Sequence, residues 1–331
     1  MTRRLLLLTA LLSLSYAGGS ARQIGDWIRS KFGDSKVNNA RTVPAPVVPA
    51  KDPHLRYIQF LAVGDFGTGG PEQKDVAASM AKKAEAEPVT FIVSTGDNIC
   101  ESGVSSVTDP QWKEKFEDVY FQQSLQVPFY AVLGNHDYHS STQAQIEYSR
   151  ISTRWKMPDY YYSFSVPMSD TASIQFFCLD TNPLSSLDTA EVHALPDSGK
   201  QMRQVRWLER ELSASHARWK VVVGHHTIYS GGSHGDNDGL RVLLEPVMAH
   251  YGVDVYLCGH DHHLELIAPV HGITYVISGA GGKRRDVTWR DNTLFAATNY
   301  GFNFFRVSAK NMLIEFLDRG GNIRYVHEIT K

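Results

Sequence analysis

Asp65, Asp97, Asn135, His225, His260 and His262 carry oxygen and imidazole donors of the types that hold metal ions, and each closes an apolar, β-branched run. The runs read YIQFLAVGD, VTFIVSTGDN, VPFYAVLGNHD, WKVVVGHH and VDVYLCGHDHH. A phosphate ester repels anionic nucleophiles, and two cations about 3.5–4 Å apart overcome this by shielding its oxygens and making hydroxide available near neutral pH. The donors suit such a pair: hard carboxylate oxygens from Asp65 and Asp97, a neutral amide oxygen from Asn135, and nitrogens from the three histidines. Asp97 can bridge both ions. In GNHD, Asn135 can ligate while His136 stays free to hydrogen-bond a phosphate oxygen or a leaving group. His260 and His262 would share a face in a regular strand, whereas a turn would aim them at different metals. A glycine before each aspartate permits tight turns close to the ions.

Each residue has an ordinary reading when taken alone. Asp65 and Asp97 read as turn or cap residues, Asn135 as a turn residue and His225 as a satisfied core histidine. His226 is expected to point elsewhere, and no role is expected for His139, His216, His250, His263 or His271. Five motifs of this kind at five strand ends, in one chain, favour the site reading.

Short apolar runs closed by a turn signal are the pattern of buried strands in a parallel or mixed sheet. Ligands at the carboxyl ends of such strands converge on one crevice, even when about two hundred residues separate them. Helical patterns at Glu72 to Glu85, Gln111 to Leu125, Lys200 to Ser213 and Leu240 to Tyr251 alternate with the strands, which predicts an α/β layered fold. Further strands are expected at Ile174 to Leu179 and Ile273 to Ile277. With the closing strands Asn303 to Val307 and Met312 to Leu317, they predict a second sheet.

The 331 residues read as one large catalytic domain, residues 55–331, behind two short segments. Thr2-Arg3-Arg4, the apolar stretch Leu5 to Ala17 and a small-residue cleavage site read as a signal peptide, residues 1–17. This places the protein in the secretory pathway, either secreted or in a lysosome- or vacuole-like compartment. Residues 18–54 combine a short amphipathic stretch (Ile24, Trp27, Ile28, Phe32) with a proline-rich linker. No other segment has the roughly 20 apolar residues of a membrane span. A net charge of −2 gives no electrostatic reason to expect a nucleic-acid partner. Three cysteines cannot all pair within one chain, and Cys178 and Cys258 read as small buried strand residues.

In this order, GDFG, GDN, GNHD, VVVGHH and GHDH resemble the calcineurin-like metallophosphoesterases, and more narrowly the small, mammalian-type purple (tartrate-resistant) acid phosphatases. AQIEYSRISTRWKMPDYYYSF, YLCGHDHHLE and YVISGAGG extend the resemblance over nearly all of Leu55 to Lys331. The resemblance implies a four-layer α/β/β/α sandwich, two mixed sheets flanked by helices. It implies a ferric site at Asp65, Asp97 and His262, and a divalent site for iron, zinc or manganese at Asn135, His225, His260 and the bridging Asp97. It implies hydrolysis of phosphorylated small molecules or phosphoproteins by a metal-activated hydroxide, with His136 and His234 assisting the substrate and leaving group. The chain departs from the family at Cys100. There the family's GDNxY motif supplies a tyrosinate to iron, and this sequence reads GDNIC. A thiolate could ligate in its place, or Cys100 could stand by while a less selective metal pair fills the site. Two functions compete on these grounds: an acid phosphatase, and a catalytically weak or inactive scaffold similar to the glideosome-associated proteins. The sequence leaves the oligomeric state open.

Overall fold

Along the strand Ser173–Cys178, Ile174, Phe176 and Cys178 enter one hydrophobic core and Phe177 enters another. Val221 and Val223 against Val222, and Val255 and Leu257 against Tyr256 and Cys258, repeat this alternation on the neighbouring strands. Strands with two buried faces read as continuous apolar runs, which is why the sequence pattern located them. The computed structural model describes residues 56–187, 191–192 and 199–331. The expected signal peptide and the amphipathic and proline-rich segment lie outside the described residues.

The order of elements is β1 (Ile58–Val63), α1 (Pro71–Ala86), β2 (Phe91–Ser94), β3 (Phe129–Ala131), α2 (Thr142–Tyr148), β4 (Trp155–Lys156), β5 (Tyr162–Pro167) and β6 (Ser173–Cys178). It continues through α3 (Asn182–Ser185), α4 (Lys200–Ala214), β7 (Trp219–Val223), α5 (Asp238–His250), β8 (Val255–Cys258), β9 (Leu264–Val270) and β10 (Ile273–Ser278). It closes with β11 (Thr293–Ala297), β12 (Gly301–Val307), β13 (Asn311–Asp318) and β14 (Ile323–Thr330). Two mixed seven-stranded sheets result, in the orders β14-β13-β12-β1-β2-β3-β4 and β11-β9-β10-β8-β7-β6-β5. Their faces meet through aromatic rings: Phe60 stacks on Phe305 within the first sheet at 4.5 Å and meets Phe176 of the second edge-on at 5.3 Å. Leu208 and Leu212 of α4 and Leu240 and Leu244 of α5 cover the far face of the second sheet, while α1 packs on the first. The architecture is the four-layer α/β/β/α sandwich.

Two expectations need correction. The closing strands β12 and β13 belong to the first sheet, where β12 runs antiparallel to β1 with Phe60 opposite Phe305. Apolar runs of equal quality do not encode which sheet edge they join, and β1 offered a free edge beside β2. Gln111 to Leu125 is not one helix: it holds a π-helical turn, Lys113–Glu117, and a separate 3₁₀ turn, Gln123–Leu125. Tertiary contacts override the local pattern there, because Phe116 packs against Phe129 and Trp155, and the Glu117 carboxylate accepts from the Tyr148 hydroxyl and pairs with Arg154. Among the described residues no helix is long and apolar enough to cross a membrane.

Candidate metal centre

Parallel pairing of β1, β2 and β3, and of β7 and β8, aligns the carboxyl ends of these strands within each sheet. The five loops that leave them carry the candidate residues. Of the four described non-glycine residues with positive φ, three are Asp65 (55°), Asp97 (51°) and His260 (69°). That conformation is costly for residues with a side chain and persists where the surroundings impose it, which marks functional loops. Glycines let the loops approach: a Cβ on Gly134 would collide with the Asp97 carboxylate, and one on Gly259 with Asp65.

Asp65, Asp97 and His262 form one buried cluster, with one ligand atom from each lying within 4.8 Å of the others. His262 Nε2 lies 3.4 Å from Asp65 Oδ1. Asp65 Oδ2 accepts the His260 backbone N–H at 3.0 Å, but Oδ1 is buried without any hydrogen-bond partner among the described residues. Burial drives the Asp65 carboxyl well above its usual range, with His225 opposing and Asp97 adding to the effect. Burial lowers His262 to about 4, helped by Arg285 and Lys283, so its lone pair is available at neutral pH.

Asn135, His225 and His260 form the second cluster. The Thr95 carbonyl can only accept, so His225 Nδ1–H donates to it at 2.9 Å and Nε2 is left with its lone pair. That nitrogen faces Asn135 Oδ1 at 3.1 Å, and His260 Nδ1 lies 3.0 Å from Asn135 Oδ1 and 3.3 Å from His225 Nε2. Burial, reinforced by the surrounding histidines, pushes His260 far below the usual imidazole range. Asp97 touches both clusters: its Oδ1 lies 3.5 Å from His225 Nε2 and accepts the His136 backbone N–H at 2.9 Å. A buried carboxylate oxygen with no donor, and an imidazole lone pair facing an amide oxygen, are unfavourable when left to each other. A cation in each cluster would satisfy both, so the donor set fits a metal pair. The turn around His260 sends His260 and His262 into different clusters.

The remaining expected residues surround these clusters. His136 donates Nδ1–H to the Glu101 carbonyl at 2.8 Å, and its Nε2 lies 3.8 Å from Asp97 Oδ2. His234 is held by Asp261 through Nδ1 at 2.8 Å, its ring 4.1 Å from that of His260. Burial disfavours the charge of Asp261, but hydrogen bonds from Ser230 and His234 outweigh it and lower the carboxyl below its usual range. Cys100 is buried with Sγ turned to the Asp97 carbonyl at 3.7 Å, and it is outside the cluster of Asp65, Asp97 and His262. Burial, then the Asp97 charge, push its thiol up.

Several supporting residues escaped the sequence reading. Asp137 accepts from the backbone N–H groups of Gly134, Asn98 and Ile99, tying the Asp97 loop to the Asn135 loop. Asp137 and Asp261 stand inside the GNHD and GHDH motifs and were visible there. Arg285 was not foreseeable: its backbone N–H donates to the His262 carbonyl at 2.7 Å and its Nη1 lies 3.2 Å from His234 Nε2. His226 stays out of both clusters as expected, its Nδ1 on Thr181 Oγ1, yet its ring lies 4.5 Å from that of His260.

Residues 58–264 match the model of the calcineurin-like phosphoesterase family. Human tartrate-resistant acid phosphatase type 5 is 33% identical over 290 residues, which span 80% of this chain and 88% of that one. Purple acid phosphatase 4 of Arabidopsis thaliana is 34% identical over 290 residues, 83% of this chain and 84% of that one. Among solved structures, GAP50, the anchor in the inner membrane complex of Plasmodium, superposes with a TM-score of 0.74 at 27% identity, over 83% of this chain and 89% of its own. A purple acid phosphatase from yellow lupin seeds superposes at a TM-score of 0.64 with 15% identity, over 84% of this chain and 54% of its own, a likeness of fold. With the family model covering residues 58–264 and relatives of this similarity along most of its length, the chain belongs to the calcineurin-like phosphoesterase family, among relatives of purple acid phosphatase type.

Proposed function

We propose that the protein is an acid phosphatase, a phosphomonoesterase that works with two metal ions. The observation that carries this reading is Asp97, which lies against both the Asp65 and His262 cluster and the Asn135, His225 and His260 cluster. Asp65, Asp97 and His262 would hold iron, and Asn135, His225, His260 and the shared Asp97 a divalent iron, zinc or manganese ion. When bound, the pair supplies charge neutralisation for the phosphoryl group and a nucleophile at acidic to neutral pH.

The chain's own groups orient the substrate. His136 has its Nδ1–H committed to the Glu101 carbonyl, so Nε2 is the atom left to exchange a proton with a phosphoryl or leaving-group oxygen. His234 is oriented through Nδ1 by Asp261, and Arg285 beside its Nε2 adds a fixed positive charge at the mouth. Phosphorylated small molecules and phosphoproteins are the substrate class, and a secreted or lysosome-like location follows from reading residues 1–17 as a signal peptide.

A second reading is supported by the likeness to GAP50 and by Cys100 standing where the purple acid phosphatases carry a tyrosine: a phosphatase-fold scaffold of weak or no activity. Metal analysis of the purified protein, with para-nitrophenyl phosphate hydrolysis from acid to neutral pH, separates the two. About two metals per chain and chelator-sensitive turnover support the enzyme. A metal-free protein that stays inactive after supply of iron, zinc or manganese supports the scaffold.

A further inference from the structure

Beside Asn135 and His260 lies a cavity of about 350 Å³ that also takes in His226, Thr227, His234 and Asn237. This volume falls at the lower end of the range for organic ligands, roughly 300–1,000 Å³. Most of its polar wall is already committed: the Thr227 hydroxyl donates to the Gly235 carbonyl, and the Asn237 amide caps α5 and donates to the Ser185 carbonyl. His226 differs. It is 6% exposed and hydrogen-bonds to Thr181 through Nδ1, and none of the described residues hydrogen-bonds to its Nε2.

The proton on that nitrogen follows from Thr181. The Thr181 hydroxyl oxygen accepts the backbone N–H of His225 at 3.2 Å and of His226 at 3.1 Å, which uses both of its lone pairs. Its own hydrogen therefore goes to the remaining neighbour, His226 Nδ1 at 2.9 Å. A neutral imidazole that accepts at Nδ1 carries its hydrogen on Nε2, and a protonated one carries a hydrogen there too, so Nε2 is a donor in either state. The Tyr256 hydroxyl donates to the His226 carbonyl at 2.8 Å, so the main chain is held at both ends. An Nε2–H that meets no described protein group is a donor available to a ligand oxygen in the cavity.

We infer that this cavity is the leaving-group subsite, that His226 donates through Nε2–H to an oxygen of the leaving group, and that Thr181 positions it. Among its described lining residues the subsite contains no lysine or arginine, and its Asp236 carboxylate is already paired with Arg290 at 2.8 Å. It therefore suits an uncharged, oxygen-rich group, the polyol or sugar part of a phosphate monoester, rather than a second phosphate. This inference rests on the phosphatase reading.

The test uses glycerol 2-phosphate against phenyl phosphate, whose leaving group has no oxygen beyond the ester. The ratio of their kcat/KM values falls about tenfold in His226→Phe, the scale of one net hydrogen bond. Thr181→Val lowers the same ratio and Thr181→Ser restores it. An unchanged ratio in His226→Phe overturns the subsite. Imidazole nitrogen NMR of the wild-type protein shows the Nε2–H form of His226, and an Nδ1–H form overturns the positioning role of Thr181. If the wild type hydrolyses neither ester with any metal supplied, the phosphatase reading fails. The subsite is then judged by calorimetric binding of glycerol 2-phosphate, which weakens about tenfold in His226→Phe or, if unchanged, refutes it.

Discussion

The Nδ1–H of His225, on the loop after β7, donates at 2.9 Å to the carbonyl of Thr95, on the loop after β2. One hydrogen bond thus joins the two sheets at the candidate metal centre and leaves the His225 Nε2 lone pair facing Asn135. His225→Ala removes that donor itself rather than a group that orients it. Loss of an orienting partner costs about 10–100-fold in metal affinity, and this variant is expected to lose more than that. Metal titration followed by competition with a chelator measures it; retention of full affinity would remove His225 from the ligand set.

Asp65 is expected to burden the metal-free protein. Its Oδ1 is buried without a donor and its carboxyl is driven up by burial, so its ionisation opposes folding when no cation is present. Asp65→Asn should stabilise the metal-free protein at neutral pH by about 1–3 kcal/mol, the cost of an unsatisfied buried polar group. Added metal should reverse the order, stabilising the wild type above the variant. Urea unfolding with and without metal reads both; a less stable metal-free variant would show that the carboxylate is satisfied by the protein alone.

Asp261 serves His234, which it holds through both the backbone N–H at 3.2 Å and Nδ1 at 2.8 Å. His234→Ala should lower kcat by about 100-fold, at the lower end for a positioned proton donor or acceptor, with metal content unchanged. Asp261→Asn should give a smaller loss, since the ring keeps its place but loses its charged partner. Loss of a metal ion in His234→Ala would show that its role had been misassigned.

Cys100 presents its sulfur to the Asp97 carbonyl rather than to the cluster. Cys100→Ser is therefore expected to keep the wild-type metal content, measured by elemental analysis. A fall by one equivalent would put the thiolate among the ligands.

Asp180 makes stability depend on pH. Burial raises its carboxyl from 3.8 to about 6, although the Tyr138 hydroxyl donates to it at 2.5 Å. A folded-state value above the unfolded one means that its favourable contribution is complete below about pH 4 and is lost as pH rises through about 6. Asp180→Asn removes this loss, so its stability relative to wild type should grow by ~3 kcal/mol from pH 4 to pH 7. Denaturant unfolding at the two pH values tests it, and a constant difference would show that Asp180 ionises freely in the fold.

The chain alone determined the strands and the residue types at their ends. YIQFLAVGD, VTFIVSTGDN and the three other runs are apolar because both faces of their strands are buried, and Asp65, Asp97, Asn135, His225, His260 and His262 follow from where those runs stop. Pairing of the strands across space was decided by the tertiary structure. Nothing in the runs at Asn303 and Met312 says that they flank β1, since an apolar strand is equally suited to either sheet. The Gln111 to Leu125 pattern gave way to the contacts of Phe116 and Glu117 for the same reason: long-range packing outweighs local preference. Thr181, Arg285 and the donor face of His226 belong wholly to the tertiary structure. Their roles come from distances between atoms far apart in the chain, and a hydrogen bond from the His225 backbone to a hydroxyl 44 residues away leaves no local trace in sequence.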